Sequence, residues 1–496
     1  MQHLFGSIGP LQLLFLALAL LFAFGFEFVN GFHDTANAVA TVIYTHTLPP
    51  YVAVVWSGIW NLIGVLTSNG AVAFSVVALL PVELVLNVNS AAGFAMIFAL
   101  LVSAIVWNVG TWAMGLPASS SHTLIGAIMG VGLMNSVLNS GGFMGGVNWA
   151  KAKDVGLSLL ISPIVGFIGT ALLFLLLKSL VRNATLYTPP ERKKAPPLWV
   201  RGILCLTCTG VSFAHGSNDG QKGMGLIMLI LIGIVPGMYA LDMSVPPAAV
   251  RAIEAQAHAV SAIIAKQSSA PVMADPAKAT KILTAYLKNG GAYNTDVLPA
   301  LAEKNQEIAA AFDAHTSFSE IPEAKRGSLR VAFYSASSTI SKLNKYNVIA
   351  NAADAKVLSG YKDALEKKTK YIPFWVQLAV AISLGFGTMI GWKRIVVTVG
   401  EKIGKSHLTY AQGATAELVA MITIGLADRF GLPVSTTHVL SSGIAGSMAA
   451  NYSGLQGNTL RNILLAWVLT LPACMFLGAM FFAGALVVLA HVFGIH

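Results

Sequence analysis

The sequence predicts an all-α polytopic membrane protein with inverted-topology repeats, broken helices, two re-entrant hairpins and a soluble helical insert. Three observations lead to this fold class. Hydrophobic residues make up 55% of the 496 residues and charged residues only 10%, a balance that soluble domains do not show. Two different motifs each occur twice, in the same order. A polar stretch, 241–371, lengthens the interval between the motifs in the second half only. Such a duplication within membrane sequence is typical of secondary transporters.

Nine apolar segments are candidates for membrane helices, since about 20 apolar residues cross a bilayer. They are 11–28, 51–73, 92–114, 155–177, 203–213, 224–234, 374–390, 411–427 and 463–493. The two short runs around 215–219 are predicted to form one interrupted helix, and the first helix is predicted to break around 30–34. The last segment is long enough for two short passes or one tilted helix. The first segment lacks a basic region and a cleavage site, so we expect it to belong to the mature protein.

Charge and composition predict the domain organisation. We expect a first membrane repeat (1–178), a basic cytoplasmic linker (179–201), the start of a second repeat (202–240), the insert (241–371) and the remainder of the second repeat (372–496). Basic residues cluster in 178–201 and in 393–405, and the positive-inside tendency places both in the cytoplasm. The interrupted helix around Asp219 and the segment 374–390 each cross the membrane once between these two clusters. The insert lies between the two crossings, so it is predicted on the outer face.

The insert predicts a small soluble domain. It is rich in Ala, Lys and Glu, and it has helical periodicity at 248–266, 277–287, 297–314 and 351–370. It contains no chemical motif, which favours a structural or regulatory role. The net charge of +10 indicates basic loops that face anionic lipid. Nucleic acid is not an expected partner, because no basic run interleaves with aromatic residues.

The first repeated motif places one acid in each half. Residues 31–38 (GFHDTANA) return as 216–223 (GSNDGQKG), which aligns Asp34 with Asp219. An ionised carboxylate at membrane depth costs about 2.5–3.5 kcal/mol on insertion scales. We therefore expect both acids to face a cavity and to hold a cation, a proton or a basic partner. The alternative is that they only cap helices.

The neighbours of the two acids differ between the halves. His33 aligns with Asn218, and Asn37 aligns with Lys222. Oxygens of Asn and Asp suit a hard cation such as Na⁺ or Mg²⁺, which makes Asp34 and Asp219 candidate metal ligands. Lys222 could pair with an acid, replace a bound cation or hold an anion. His33 titrates near neutral pH. Together these residues favour coupling to protons, with sodium as the alternative.

The second repeated motif supplies hydroxyl groups at two predicted helix starts. Residues 115–122 (GLPASSSH) return as 431–438 (GLPVSTTH). Pro followed by Ser and Thr is typical of a helix N-terminus, whose N–H groups and dipole attract anions. The candidate donors to a tetrahedral oxyanion are Ser119, Ser120, Ser121, Ser435, Thr436 and Thr437. His122 and His438 are predicted to orient the hairpin tips, or to touch the anion directly.

Two further acids lie within apolar sequence without an acidic counterpart. Glu27 corresponds to Ser212, and Glu417 corresponds to Leu101. Each could carry the coupled proton or pair with a buried base such as Lys222, and the sequence leaves both alternatives open.

Other function classes fit the two matched sets of motifs less well. A membrane-embedded hydrolase would need one nucleophile with one His and one orienting acid. A passive anion channel would gain little from buried acids. We therefore expect no enzymatic activity and no cofactor.

The motifs resemble the inorganic phosphate transporter family, in its bacterial low-affinity branch. The matching segments are 31–37, 213–219, 116–123, 432–438, 391–394 and 401–404, and the likeness covers nearly all of the chain except the insert. The resemblance implies an inverted-repeat fold, a phosphate site between two hairpins and cations near the paired acids. The family's sodium-coupled branch has Asn before each acid and Asn three residues after it. His33 and Lys222 depart from that pattern.

The resemblance implies a multi-pass symporter of the bacterial inner membrane that imports inorganic phosphate with protons. Lys222 and the six hydroxyls would bind phosphate, while Asp34, Asn37, Asp219, Asn218, His33, Glu27 and Glu417 would serve the coupled ion. Similar bacterial members accept phosphate as a neutral complex with a divalent metal such as Mg²⁺. The expected partners are therefore phosphate, protons, a divalent metal and the lipid bilayer, with a homodimer left open. Coupling to sodium, and transport of another oxyanion or a divalent metal, remain the alternatives.

Overall fold

The structure is a computed structural model that describes residues 9–80, 84–85, 90–139, 142, 146–190, 195–268, 270–288, 291–313, 315–349, 351–492 and 494, without the side chains of 35–37. Within these ranges every extended regular element is a helix. The helices are α1 (Pro10–Tyr44), α2 (Pro50–Thr67), α3 (Ala71–Val77), α4 (Ala91–Ala113), α5 (Ser120–Leu138), α6 (Trp149–Leu180), α7 (Leu198–Ile234), α8 (Pro236–Tyr239), α9 (Pro247–Gln267), α10 (Pro276–Leu287), α11 (Val297–Asp313), α12 (Glu323–Lys345), α13 (Ala352–Thr369), α14 (Phe374–Met389), α15 (Lys393–Val397), α16 (Tyr410–Arg429), α17 (Thr436–Ala450) and α18 (Gly457–Val492).

The helices confirm the predicted class of an all-α polytopic membrane protein. Among the described residues, seven helices are long and apolar enough to cross a bilayer, or up to eight if α14 is counted within a bent span. The last apolar segment forms one 36-residue helix, α18, although Pro472 lies inside it. On α6, Leu172 and Leu176 are 62% and 55% exposed, which is the exposure expected of side chains that face lipid.

The predicted breaks in the two motif helices are wrong. α1 and α7 are continuous through 30–34 and 215–219. The glycines in these segments serve close packing instead of interrupting the helix. A β-carbon at Gly31 would collide with the carbonyl of Leu384 on α14, and one at Gly216 would collide with the backbone of Asn61 on α2. The helix backbone therefore stays satisfied internally, as the bilayer requires.

The chain folds into two compact units. One, the membrane unit, contains residues 17–80, 94–227 and 372–496, and the other, the insert unit, consists mainly of residues 228–371. In the membrane unit each helix that follows a repeated hydroxyl motif packs against the closing helix of the other half: α5 against α18, and α17 against α6. Glycines allow this approach, because a β-carbon at Gly130 would collide with the Met475 carbonyl and one at Gly446 with the Phe167 carbonyl.

The insert unit has a helical core of its own. Four helices, α9, α10, α11 and α13, lie within a few residues of the predicted ones, and α12 was not predicted. The core is formed by large apolar side chains from all five helices, among them Ile253, Leu283, Leu301, Phe333 and Tyr361.

The two ends of the insert lie side by side. The guanidinium of Arg330 on α12 donates to the carbonyl oxygens of Ala240 and Thr369, both at 2.9 Å. The amide of Asp242 donates to the carbonyl oxygen of Lys368 at 3.2 Å. Burial lowers the pKa of Arg330 to about 10, so this side chain is charged at neutral pH.

Candidate functional site

The two hydroxyl motifs begin helices as predicted. Ser119 and Ser435 have extended backbones and cap α5 and α17, because their side chains accept hydrogen bonds from the amides of His122 (3.2 Å) and His438 (3.1 Å). The three residues before each cap are non-helical. We call residues 116–121 the first tip and residues 432–437 the second tip. Each tip therefore presents the N-terminus of a helix, followed at once by two further hydroxyl side chains.

The two tips meet inside the membrane unit. Ser121 Oγ of the first tip donates to the carbonyl oxygen of Val434 in the second tip at 2.6 Å. The rings of His122 and His438 lie with their centroids 4.5 Å apart. His438 also stacks on Trp467 of α18 at 4.1 Å, and Trp467 donates to the Pro117 carbonyl oxygen at 3.0 Å. The two histidines therefore lie where they can orient the tips.

The first tip also contacts both acids through the hydroxyl of Ser120. Ser120 Oγ lies 2.9 Å from Asp34 Oδ2 and 3.2 Å from Asp219 Oδ2, and Thr437 Oγ1 of the second tip donates to Asp34 Oδ1 at 2.6 Å. All four side chains are buried. A hydroxyl has one proton to donate, so Ser120 serves one carboxylate at a time. Two carboxylates this close create a demand for positive charge.

Basic side chains supply part of that charge. Lys222 Nζ lies 2.6 Å from Asp219 Oδ1 and also donates to Ser121 Oγ at 2.5 Å. His33 Nδ1 lies 3.2 Å from Asp34 Oδ1, and its Nε2 lies 3.2 Å from Thr111 Oγ1. The hydroxyls, acids and bases of both motifs thus form one buried cluster.

His215 belongs to this cluster and was not among the predicted site residues. Its Nδ1 lies 2.7 Å from Asn61 Oδ1, while its Nε2 lies 3.5 Å from Asp219 Oδ2 and 3.9 Å from Asp34 Oδ2. Among the described residues, Asp34, His215 and Asp219 each offer one ligand atom within 4.8 Å of the others, all buried. Two carboxylates and an imidazole are a donor set that fits a small cation. The four-residue spacing of His215 and Asp219 could have revealed the pair, had the helix been taken as continuous.

The other predicted site residues lie at the edge of the cluster or apart from it. Asn218 Nδ2 donates to the Leu432 carbonyl at 3.2 Å, so it holds the second tip. Glu27 is buried two turns before Asp34 on α1. Glu417 accepts a hydrogen bond from Thr207 at 2.5 Å, about 18 Å along α7 from Asp219 at a rise of 1.5 Å per residue. The side chain of Asn37 lies outside the described residues.

Asp428 is a second residue that the sequence did not single out. It lies at the end of α16, just before the second tip, and accepts hydrogen bonds from Ser217 (2.7 Å) and Gln221 (2.5 Å) of α7. Gln221 in turn accepts a hydrogen bond from the Val72 amide at 2.9 Å. These contacts hold the segment just before the second tip against α7.

Comparisons with known proteins identify the family of the chain. The sequence profile described as the phosphate transporter family matches residues 30–478. The chain is 41% identical to the low-affinity inorganic phosphate transporter PitA of Escherichia coli strain K12 and 40% identical to PitB of the same strain, over 96% of this chain and 98% of each relative. A solved structure described as the sodium-dependent phosphate transporter has the same fold, with a TM-score of 0.51 and 19% identity over 95% of this chain and 98% of its own. The chain belongs to the phosphate transporter family.

Proposed function

We propose that this protein imports inorganic phosphate across the bacterial inner membrane in symport with protons. The observation that carries the proposal is the meeting of two helix N-termini, each followed by hydroxyl side chains, beside a buried cluster of acids and bases. Helix N-termini and hydroxyl donors together bind oxyanions. Relatives with 40% identity or more are named low-affinity inorganic phosphate transporters, which supports the choice of anion.

Phosphate would replace the acids as the acceptor of the hydrogen bonds that the tip hydroxyls donate. Ser120 and Thr437 now donate to Asp34, and Ser121 donates to the second tip. The hydroxyl of Thr436 has no hydrogen-bond partner among the described residues, so it is ready to donate to an anion. An entering phosphate would accept from these groups. Asp34 would then lose two donors, and its charge would need compensation by a coupled cation.

Protons are favoured as the coupled cation because basic side chains already occupy the acidic cluster. The ammonium of Lys222 lies against Asp219, where a sodium ion would otherwise neutralise the carboxylate. A ring nitrogen of His33 lies 3.2 Å from an Asp34 carboxylate oxygen and one of His215 lies 3.9 Å from the other, so each ring could hold a proton against this acid.

Sodium is the second candidate for the coupled cation. It is favoured by the close ligand atoms of Asp34, His215 and Asp219, and by the amide oxygen of Asn218, which has no partner among the described residues. A divalent metal such as Mg²⁺ would travel as part of the substrate, as a neutral complex with phosphate.

Uptake by reconstituted vesicles tests the proposal. Vesicles with an inward proton gradient and no sodium should accumulate labelled phosphate above the outside concentration, and Mg²⁺ should enhance the uptake. Dependence on a sodium gradient would replace protons by sodium. Stronger competition by sulfate or arsenate than by unlabelled phosphate would identify a different anion.

The proposed orientation places the insert outside the cytoplasm. The described cysteines are Cys205, Cys208 and Cys474, all within the membrane unit. In a variant without them, Lys356→Cys on the exposed face of α13 should react with a membrane-impermeant maleimide in spheroplasts. Reaction only after lysis would place the insert in the cytoplasm.

A further inference from the structure

Glu27 and Asn30 form a buried polar pair whose side-chain oxygen and nitrogen atoms have no hydrogen-bond partner within the described ranges. Both side chains lie on α1, one turn apart, and both are 0% exposed. Neither carboxylate oxygen of Glu27 has a hydrogen-bond partner among the described residues, and neither the oxygen nor the nitrogen of the Asn30 amide has one. Buried polar groups are normally satisfied, so a cluster of four such atoms indicates a ligand.

The neighbouring acids Asp34 and Asp219, in contrast to Glu27, have hydrogen-bond donors. Asp34 accepts from Ser120 and Thr437 and lies beside His33, while Asp219 lies against Lys222 and Ser120. These donors stabilise two negative charges in the interior. A charged Glu27 would have no such donors in the part of the chain that the structure describes, and an unpaired buried charge is strongly unfavourable. In the conformation described here, Glu27 is therefore the acid that the surroundings favour in its neutral form.

The close packing and the few oxygen atoms around Glu27 favour a proton over a metal ion. The backbone of α7 packs directly on the carboxyl group at Gly223, where a β-carbon would collide with Oε1. Asn30 is the neighbour that offers a further unpartnered oxygen. Hard cations collect six or more oxygen ligands, counting water, whereas Glu27 and Asn30 together offer three side-chain oxygens.

Among the described residues, the charged groups that act electrostatically on Glu27 come from α7 and belong to the proposed phosphate site. They are Asp219, Lys222 and His215, with Asn30 as the polar neighbour on its own helix. Lys222 holds both Asp219 and Ser121 of the first tip. Loss of a proton from Glu27 would create a second carboxylate that competes for this ammonium. Lys222 would then loosen its contact with the tip.

We propose that Glu27 carries the coupled proton and that its deprotonation releases the first tip through Lys222. The inference rests on the proposed proton-driven import of phosphate and names the group that links the two fluxes. Gly223 is the position that permits the contact between the two helices.

The test separates exchange of phosphate from its accumulation, using Glu27→Gln in vesicles. During exchange of external for internal phosphate, the carrier returns with phosphate bound and does not need to release the proton. The neutral amide of Glu27→Gln mimics the protonated acid, so this variant should retain the rate of exchange within about twofold of the parent. Uphill accumulation should disappear. A gradient of about one pH unit supports a ratio of about tenfold for one proton per phosphate, and Glu27→Gln should stay near a ratio of about one.

Three further variants serve as controls and comparisons. Asp363→Asn on the surface of the insert, where the side chain is 61% exposed, should behave as the parent. Glu417→Gln tests the other buried glutamate of the membrane unit, which accepts a hydrogen bond from Thr207. If Glu27→Gln does not fold, as judged by gel filtration, Glu27→Asp takes its place. That variant keeps a titratable group and should accumulate phosphate with a displaced pH profile.

Each outcome decides a different claim. A parent protein that does not accumulate phosphate under a proton gradient would overturn the proposed function together with this inference. A coupled parent with a Glu27→Gln variant that still accumulates phosphate would overturn the inference alone. Loss of exchange as well as accumulation in a folded Glu27→Gln protein would also overturn it, and an exchange-only phenotype in Glu417→Gln would assign the proton to Glu417.

Discussion

Lys222 Nζ and Asp219 Oδ1 lie 2.6 Å apart on one face of α7, and both side chains are buried. The same ammonium reaches Ser121 of the first tip at 2.5 Å. A single side chain thus connects the acid of the second repeat to the hydroxyl motif of the first. The charge balance of the acids and the position of the tip are coupled at this residue.

Lys222→Met should destabilise the protein by about 3–5 kcal/mol, because it leaves the Asp219 carboxylate buried without its partner. Phosphate transport should be lost. The double variant Lys222→Met/Asp219→Asn removes both charges, so it should recover most of the stability without recovering transport. Thermal unfolding in detergent and vesicle uptake measure the two effects. Equal stability of the single and double variants would contradict the pairing.

Ser120→Ala should weaken phosphate binding and disturb the paired acids. A hydrogen bond to a charged group contributes about 1.5–3 kcal/mol, which corresponds to roughly 10- to 100-fold in affinity. The KM for phosphate uptake should rise by that factor. Ser179→Ala is the matched control, since Ser179 is exposed and donates only to the Leu176 carbonyl of its own helix. A similar KM in both variants would exclude Ser120 from the site.

Gly446→Ala should destabilise the contact between α17 and α6 by about 1–3 kcal/mol through overpacking. The new β-carbon would collide with the carbonyl group of Phe167. Gly425→Ala is the control, because its β-carbon would meet nothing within 4 Å. It should be neutral or slightly stabilising, since Ala is the better helix former. Melting temperatures in one detergent compare the two, and a lower value for Gly425→Ala would refute the packing argument.

Glu303 should make the stability of the insert depend on pH. Burial raises the pKa of Glu303 even though Lys304 Nζ lies 3.2 Å away. The folded state then binds this proton more tightly than the unfolded state. Stability should therefore fall as pH rises from the ordinary carboxyl range, about 4.3, through the raised value.

Protection of the insert from protease, measured in the full chain between about pH 5 and pH 8, reports this dependence. Glu303→Gln should flatten the profile, and Asp363→Asn should leave it unchanged because that side chain is 61% exposed. An unaltered slope in Glu303→Gln would assign the pH dependence to another group.

The membrane class and the tip chemistry could be predicted because both depend on local sequence. Composition alone required helices in lipid, and Ser119 and Ser435 follow Pro at positions where a cap is the ordinary use of serine. The duplicated motifs also singled out the hydroxyls and the acids, whose roles stay predictions. Their meeting at Ser120, between Asp34 and Asp219, is a feature of the tertiary structure.

The misses have tertiary causes. The interrupted apolar pattern at 30–34 and 215–219 suggested breaks, yet both segments lie within intact helices. Gly31 and Gly216 are there because a neighbouring backbone occupies the space of a side chain. The assumed break in turn hid the spacing between His215 and Asp219. α12 escaped prediction because its polar composition obscures the apolar positions that the fold buries, such as Leu329, Phe333 and Ile340.

The adjacent ends of the insert have a practical consequence. Arg330 holds the carbonyls of Ala240 and Thr369 together, so the polypeptide leaves the insert at the point where it began. Residues 241–370 therefore form a segment whose two ends are close enough for it to be replaced as a unit. A short peptide joining the two stubs, or a fluorescent protein with similarly close termini, could replace the segment without stretching the flanking chain.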